Sequence, residues 1–388
     1  MNVQTRPDPV ARARELGADI SAAADEIEHT QRFPDALQQR LHDSRLYRML
    51  LPRSAGGDQI EPAIYMAAIE ELARHDGSIA WNMFGANSAA LIAAYLEPAA
   101  AHAIFADPRS VVAWGPPNTS RAQAAEGGYR LSGRWDFGSG CRQARWMGAH
   151  CHVVEKDGAL RLNRFGQPTI RTLLFPAGEA TLLDNWKTIG LRGTASESYR
   201  VDDLFISEAF SSTREDPTLR RERGPLYAFT MQGLYATGVA AAASGMARAM
   251  LSEFIALASR KSPRGLNRLA DSAVVQAEVA RAEARLGSAR AYLVETLTTI
   301  HAQADEVAPI EMADRARVRL ACTNAIHAAT EVADFAYKAA GVDAIFPGSP
   351  FERRFRDMHT LSQQIQARGA HFEAVGQILL GVPPEVFL

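Results

Sequence analysis

Residues 127–146 read GGYRLSGRWDFGSGCRQARW. Two glycines make a turn signal. The run after them, YRLSGRWDF (129–137), is rich in aromatic and other β-forming residues. Ser139-Gly140 is a turn-type pair, and Trp146 opens a second run, WMGAHCHVV (146–154). The reading is strand, loop, strand. The same texture continues on both sides, in VVAW (111–114), TIRTLLF (169–175) and SYRVDDLFI (198–206), with a further turn signal at Asp157-Gly158. Residues 110–212 therefore form a zone of short strands.

Both flanks read as helical. On the N-terminal side, Ile20, Ala24 and Ile27, then Leu37, Leu41 and Leu46, recur at helical spacing. LPRSAGGD (51–58) interrupts the pattern, which resumes over 62–74 and 78–96. On the C-terminal side four long segments, 226–261, 271–302, 313–340 and 351–380, are separated by Pro263, Pro309 and Pro347. Each would span about 40 Å as a helix, and short connections between long helices make an antiparallel bundle. Ala240 to Ala243 and Gly245 supply small side chains for close packing of helix axes. Helices, then strands, then helices is a segregated α+β layout rather than an alternating βαβ chain. The expected division is an N-terminal helical domain at 1–107, a middle β-domain at 108–215 and a C-terminal four-helix bundle at 216–388.

Composition narrows the function. Of 388 residues, 47% are hydrophobic, enough for large cores and far from a disordered composition. With 42 Lys and Arg against 44 Asp and Glu the net charge is −2, which argues against a nucleic-acid partner. Cys141, Cys151 and Cys322 cannot build a disulfide framework and lack metal-type spacing. His150 and His152 lie on one side of a strand, but no third ligand is suggested, so no metal is expected. The N-terminus is polar, and the most apolar stretch, 238–250, is shorter than the roughly 20 residues of a membrane span. The expectation is a cytoplasmic protein without a membrane partner. No GxGxxG follows a strand, and neither a P-loop nor a GxSxG is present.

Four stretches carry a family resemblance. Residues 127–146 resemble the flavin-contacting strand-loop-strand of the acyl-CoA dehydrogenase superfamily. WKTIGLRGTASESYRVDDLFISE (186–208) resembles its G-x-R-G-T-x-S segment. The Ala/Gly-rich helix ending in Arg260 is similar to the helix that opens its bundle. AAGVDAIFPGSPFERRFRDMHTLSQQ (339–364) is similar to its GG-x-G…R-x-x-RD segment. The resemblance runs from about residue 58 to the end.

Within that superfamily a dehydrogenase needs a carboxylate to take an α-proton from an acyl thioester. The resemblance puts that group about eight residues after the Arg356-Asp357 pair, where this chain has Gln364. The other known location falls in MQGLYATG (231–238), which has no carboxylate. An amide is no general base at neutral pH. By contrast, the Trp135 to Gly140 run and the RD-x-H run at Arg356 to His359 are similar to the two-component flavin-dependent monooxygenases. That implies a reduced flavin (FMNH2 or FADH2) delivered by a separate flavin reductase, reaction with O2 through a C4a-hydroperoxide, and hydroxylation of a small aromatic or heteroaromatic molecule. It also implies an even-numbered assembly, most simply a homotetramer. The alternative is an acyl-CoA dehydrogenase whose base lies elsewhere.

The resemblance also names site residues, each with a plainer reading beside it. Ser139 and Gly140 are expected at flavin N5, or else form only a hairpin loop. Trp135 and Phe137 alternate on one strand, share a face and flank the flavin ring, or else pack the core. Arg260 is expected to reach the flavin phosphate, or else only caps its helix. Gln364 sits beside the flavin in place of the dehydrogenase base. His359 is the acid-base candidate, since imidazole titrates near neutrality. Trp81, Phe84 and Asn87, spaced i, i+3, i+6, are expected to line an aromatic-substrate pocket, or else to be core and interface. Asp76 or Ser78 is the expected N-cap of that helix.

Overall fold

The computed structural model describes residues 8–164, 166–213 and 216–384. Among the described residues six α-helices come first: α1 (Pro9–Glu15), α2 (Gly17–Thr30), α3 (Asp35–Asp43), α4 (Pro62–Ala73), α5 (Gly77–Ala90) and α6 (Pro98–Phe105). Eight strands follow: β1 (Val112–Trp114), β2 (Arg121–Ala125), β3 (Gly128–Gly138), β4 (Trp146–Val154), β5 (Ile170–Pro176), β6 (Thr181–Leu182), β7 (Glu197–Ser207) and β8 (Ser211–Ser212). Five helices close the chain: α7 (Met231–Ala258), α8 (Ala273–Gln303), α9 (Met312–Ala340), α10 (Glu352–Leu361) and α11 (Ala370–Leu379). The expected boundary at 215 falls outside the described residues.

The sheet order is β6-β7-β3-β2-β4-β5-β8, with β1 paired parallel to β4. The sequence reading missed β2. Its residues, RAQAA, are weak β-formers, and the strand exists because a two-residue turn at Glu126-Gly127 folds it onto β3 (Ala125 opposite Gly128). Tyr129, Leu131, Trp135, Tyr199 and Val201 bury themselves on one side of the sheet.

The helical layers share one large core built from α4, α5 and α7 to α9. The small residues of α7 serve close packing as expected. A Cβ on Gly245 would sit 2.2 Å from the Glu70 carbonyl oxygen of α4, and one on Gly238 would meet the Phe84 ring of α5 at 2.6 Å. By length and composition α7 also passes as a membrane span, but 72% of that apolar window is buried inside the protein.

Two expectations need correction. The fourth long bundle segment is two helices, α10 and α11, separated by a 3-10 turn at Ile365–Ala367. The break starts at Gln364, whose backbone is extended and whose side chain accepts the Gln366 N–H at 2.6 Å. A side chain that caps a new turn competes with continuation of the helix behind it. Second, Trp135 and Phe137 do not share a face. β3 slips register against β7 between Trp135 and Gly138, and Phe137 has φ of +60°. The bulge turns Phe137 outward while Trp135 stays inside.

Candidate active site

The helical core and the sheet meet where α5 passes the loop after β3. Asp76 starts α5 by accepting the Ile79 N–H at 2.8 Å, as its N-cap. That fixes Trp81 and Asn82 toward the sheet. The Trp81 indole N–H donates to Ser139 Oγ at 2.9 Å. Ser139 Oγ lies 2.6 Å from Ser196 Oγ, which lies 2.7 Å from Thr194 Oγ1, which donates to the Leu191 carbonyl at 2.8 Å. Gly140, at φ +77°, donates its N–H to the Thr194 carbonyl at 3.0 Å. A residue with a Cβ is strained in that conformation, which is what this turn requires of glycine.

The loop carrying Thr194 and Ser196 is itself forced into shape. Leu191 and Ala195 both adopt left-handed backbone, at φ +51° and +42°. Strain of this kind persists only where neighbours over-determine it. The Leu191 N–H donates to the Asp357 carboxylate at 2.5 Å, and its carbonyl accepts the Trp186 indole N–H at 3.0 Å. The Arg356 guanidinium donates to the Ile189 carbonyl at 2.6 Å. A Cβ on Gly190 would lie 2.2 Å from the Arg356 carbonyl oxygen. So the Arg356-Asp357 pair of α10 clamps this loop from below. Asp357 is buried beside Asp76, and its carboxyl is pushed up to about 7, by burial first and by the neighbouring carboxylate second.

Above the clamp, Asn82, Ser139, Gly140, Gln143, Tyr47, Ala86 and residues 111–113 line a cleft enclosing about 210 Å3 of space, part of it open to solvent. Asn82 is buried. Its amide nitrogen reaches the Thr194 carbonyl at 3.3 Å and Gln143 Oε1 at 3.4 Å, while its Oδ1 meets no partner. Beside the cleft, Phe137 is 60% exposed and stands edge-on to Trp186 with ring centres 6.2 Å apart. A large aromatic face left open next to buried polar groups is the more informative kind of exposure.

The expected residues sort themselves on this frame. Ser139, Gly140 and Trp81 come together. Phe84 packs edge-on to Trp81 and to Tyr235 at 4.9 and 5.2 Å. Phe84 is fully buried, and neither it nor Gln364 is among the residues lining the cleft. Two assignments are corrected. Trp135 is fully buried, stacked on Tyr199, with its indole N–H on the His150 carbonyl, so it packs the sheet and does not border the cleft. Asn87 is also fully buried and its amide is spent on Leu50, Leu46 and Met83 of the main chain, leaving nothing for a substrate. His359 Nε2 pairs with Asp334 of α9 at 2.8 Å, and Arg260 lies exposed just past the end of α7. His150 bonds Thr172 Oγ1 at 2.8 Å.

The sequence reading missed Asn82, Gln143, Trp186, Thr194 and Ser196. Thr194 and Ser196 are the threonine and serine of the G-x-R-G-T-x-S run, and that was the available signal. Asn82 and Gln143 carry no pattern, because they matter only through what the fold places opposite them.

Comparison with known proteins identifies the family. Residues 11–101 match the acyl-CoA dehydrogenase N-terminal domain and residues 237–368 the acyl-CoA dehydrogenase C-terminal domain. The indole-3-acetate monooxygenase of Pseudomonas putida is 31% identical over 347 residues, covering 87% of this chain and 85% of that protein. The oxygenase component of the FADH2-dependent resorcinol hydroxylase of a Rhizobium species is 27% identical, over 98% of this chain and 97% of its own. Among solved structures, XiaF from a Streptomyces species, determined with FADH2 and glycerol, superposes with a TM-score of 0.89 at 23% identity over 98% of this chain and 96% of its own. A sheet between two helical layers, a serine loop held against α5 and these likenesses converge on one statement: the chain belongs to the acyl-CoA dehydrogenase family, on its flavin-dependent monooxygenase branch.

Proposed function

We propose that this protein is the oxygenase component of a two-component flavin-dependent monooxygenase. It takes reduced flavin, FMNH2 or FADH2, from a separate reductase and uses O2 to hydroxylate a small aromatic or heteroaromatic compound. One observation carries the reading: the residues lining the cleft are amides, hydroxyls, glycine and apolar groups, without a carboxylate among them. Thioester oxidation needs an ionised base over the flavin. The resemblance expects that base at position 364, where this chain has an amide, Gln364. The nearby Glu197 is buried against Arg142 and accepts the Asp184 N–H, so it is tied down on the sheet side.

The residues fit a flavin. Phe137 and Trp186 offer an apolar face for a planar ring, Ser139 a hydroxyl beside it, and the orphaned Asn82 Oδ1 a buried acceptor. Bound there, reduced flavin would supply the electrons that activate dioxygen. The chain's own part is to hold and to shield. Trp81, Phe84 and Tyr235 form a continuous aromatic cluster, and its Trp81 indole holds Ser139 in place. His359, oriented by Asp334, is the proton-handling candidate, and Arg260, which meets no carboxylate among the described residues, is available to a phosphate. We place the protein in the cytoplasm, where its three free cysteines suit a reducing milieu, and expect a homotetramer.

The test is reconstitution with a flavin reductase, NADH and a panel of indoles and phenols, including indole-3-acetate and resorcinol, under 18O2. One labelled oxygen in the product is the expected result. Oxidation of an acyl-CoA with bleaching of bound oxidised FAD, and no labelled product, would overturn the reading.

A further inference from the structure

The connection from α3 to α4 carries Tyr47 into the lining of the cleft. This segment is knotted on itself. Arg45 holds left-handed backbone at φ +60°, a strain that lasts only where neighbours fix it. Its guanidinium bonds the Asp58 carboxylate at 2.7 and 3.1 Å and the Gly56 carbonyl at 2.8 Å. Asp58 also pairs with Arg12 of α1 at 3.3 Å, and its N–H returns to the Arg48 carbonyl at 2.9 Å. Arg48 is buried, and its guanidinium is turned onto main-chain carbonyls. It donates to Phe105 at 2.8 Å, to Asp107 at 2.6 Å, and to Pro108 and Gly56 at 3.4 Å. The carboxylates that act on it, Asp107 and Asp58, are engaged by Arg145 on one side and by Arg12 and Arg45 on the other.

Phe105 to Pro108 end α6 and lead into β1, and residues 111–113 of that passage line the cleft opposite Tyr47 in the chain's order of layers. Asp107 closes the connector into a turn. Its carbonyl accepts the Ser110 N–H at 3.0 Å and its carboxylate the Arg109 N–H at 2.8 Å. The Val111 carbonyl then accepts the Arg145 and Trp146 N–H groups at 3.2 and 3.3 Å, which ties the far end of the connector to the start of β4. One wall of the cleft thus belongs to the helical layer and another to the sheet. The Arg48 fork bridges them, directly after Tyr47 and just before Val111. A planar guanidinium holds several carbonyls at fixed angles, which a compact ammonium on a flexible stem does not. Carbonyls stripped of a buried donor turn toward water.

Resting on the monooxygenase reading above, we propose that Arg48 is a positioning residue that sets the separation of these two walls and so the fit of the aromatic substrate. Arg48 is not among the residues lining the cleft and acts through Tyr47 and residues 111–113. Without the fork the connector between α6 and β1 loosens at one end while β4 holds the other. Phe137, Trp186 and the Ser139-Gly140 loop take no bond from Arg48, so the ground assigned to the flavin keeps its shape. Substrate fit and flavin affinity therefore part company in an Arg48 variant.

Two measurements on Arg48→Lys and Arg48→Ala test this. The first is hydrogen exchange of the protein alone, read by mass spectrometry, and it needs no substrate. In both variants the amides of residues 105–113 should exchange roughly tenfold faster, the worth of about one lost hydrogen bond, while α4 and α7 keep wild-type rates. The second is steady-state kinetics with a flavin reductase, FMN or FAD, and indole-3-acetate, indole or resorcinol as probe. KM for the probe should rise about tenfold with kcat held within about twofold, and the Kd of reduced flavin should not move. In Arg48→Ala, millimolar guanidinium should slow the exchange of 105–113 again and lower KM, with no effect on wild type. Where Arg48→Ala does not fold, Arg48→Lys carries both measurements. Faster exchange throughout the chain, or a flavin Kd that weakens in step with KM, marks an ordinary loss of stability and overturns the proposal. So does Arg48→Lys matching wild type, since charge alone would then suffice. Wild-type protein that consumes no O2 with reduced flavin overturns the monooxygenase reading instead, and the exchange result stands apart from it.

Discussion

Two regions lie back to back across the loop at residues 191–196. The cleft side is neutral: indole, hydroxyls and amides, tied by short bonds from Trp81 to Leu191. The clamp side is charged: Asp76, Asp357, Arg353, Arg354 and Arg356 crowd beneath the same loop, with Glu28 and Glu352 on Arg356. The contrast shows where this chain spends ionisable groups. They hold the backbone, while the surface offered to a ligand carries direction without charge. Buried charge is costly unless paired, so it is placed where the pairing is fixed.

The comparison can be broken most sharply at Ser139. Ser139→Ala removes a hydroxyl from the cleft lining and strips Trp81 and Ser196 of a partner. Product formed per flavin oxidised should fall by tenfold or more, with hydrogen peroxide appearing instead, measured by peroxide assay against product yield. An unchanged yield would mean that the cleft is not where chemistry occurs. Next in size is Gly190→Ala. Its Cβ would press on the Arg356 carbonyl oxygen, a backbone atom that cannot step aside. A loss of about 2–3 kcal/mol in urea unfolding is expected. If stability holds, the clamp is looser than its contacts imply.

The sequence revealed the order of layers because apolar spacing and turn residues are local signals. Leu37 and Leu41, or Gly127-Gly128, need no distant partner to be read. It failed at Trp135 and Phe137 because alternation assumes an unbroken strand, and a single bulge reverses every side chain after it. It failed at Asn87 because an amide on a helix looks the same whether it meets a substrate or, as here, the main chain of residues 46–50. The clamp was half legible: Arg356-Asp357 stood out as a pair, but the Leu191 N–H it holds is 166 residues away.

Asp357→Asn sharpens the contrast through pH. The folded carboxyl, pushed up to about 7, holds its proton more tightly than the unfolded one. Its contribution to stability is therefore full below the unfolded value of about 4 and is lost as pH rises toward 7. Asparagine keeps the acceptor for the Leu191 N–H and cannot ionise. Thermal unfolding should show the variant gaining on wild type between pH 5 and pH 8, and a constant difference would refute the assignment. The smallest change in stability belongs to Phe137→Ala. The ring is mostly exposed, so unfolding free energy should move by less than about 0.5 kcal/mol. Flavin affinity should nonetheless drop severalfold by titration, which would separate a ligand platform from a packing residue.

The serine chain is split between partners that belong to different halves of the molecule: Trp81 comes from the first helical layer, Ser139 and Ser196 from the sheet, and the clamp beneath from near the C-terminus. Neither half owns the finished set of contacts. On the function proposed above, a nascent or truncated polypeptide has no finished cleft to offer reduced flavin, and reductant would be spent on oxygen only once all three layers have docked. Assembly itself acts as the enzyme's safety catch.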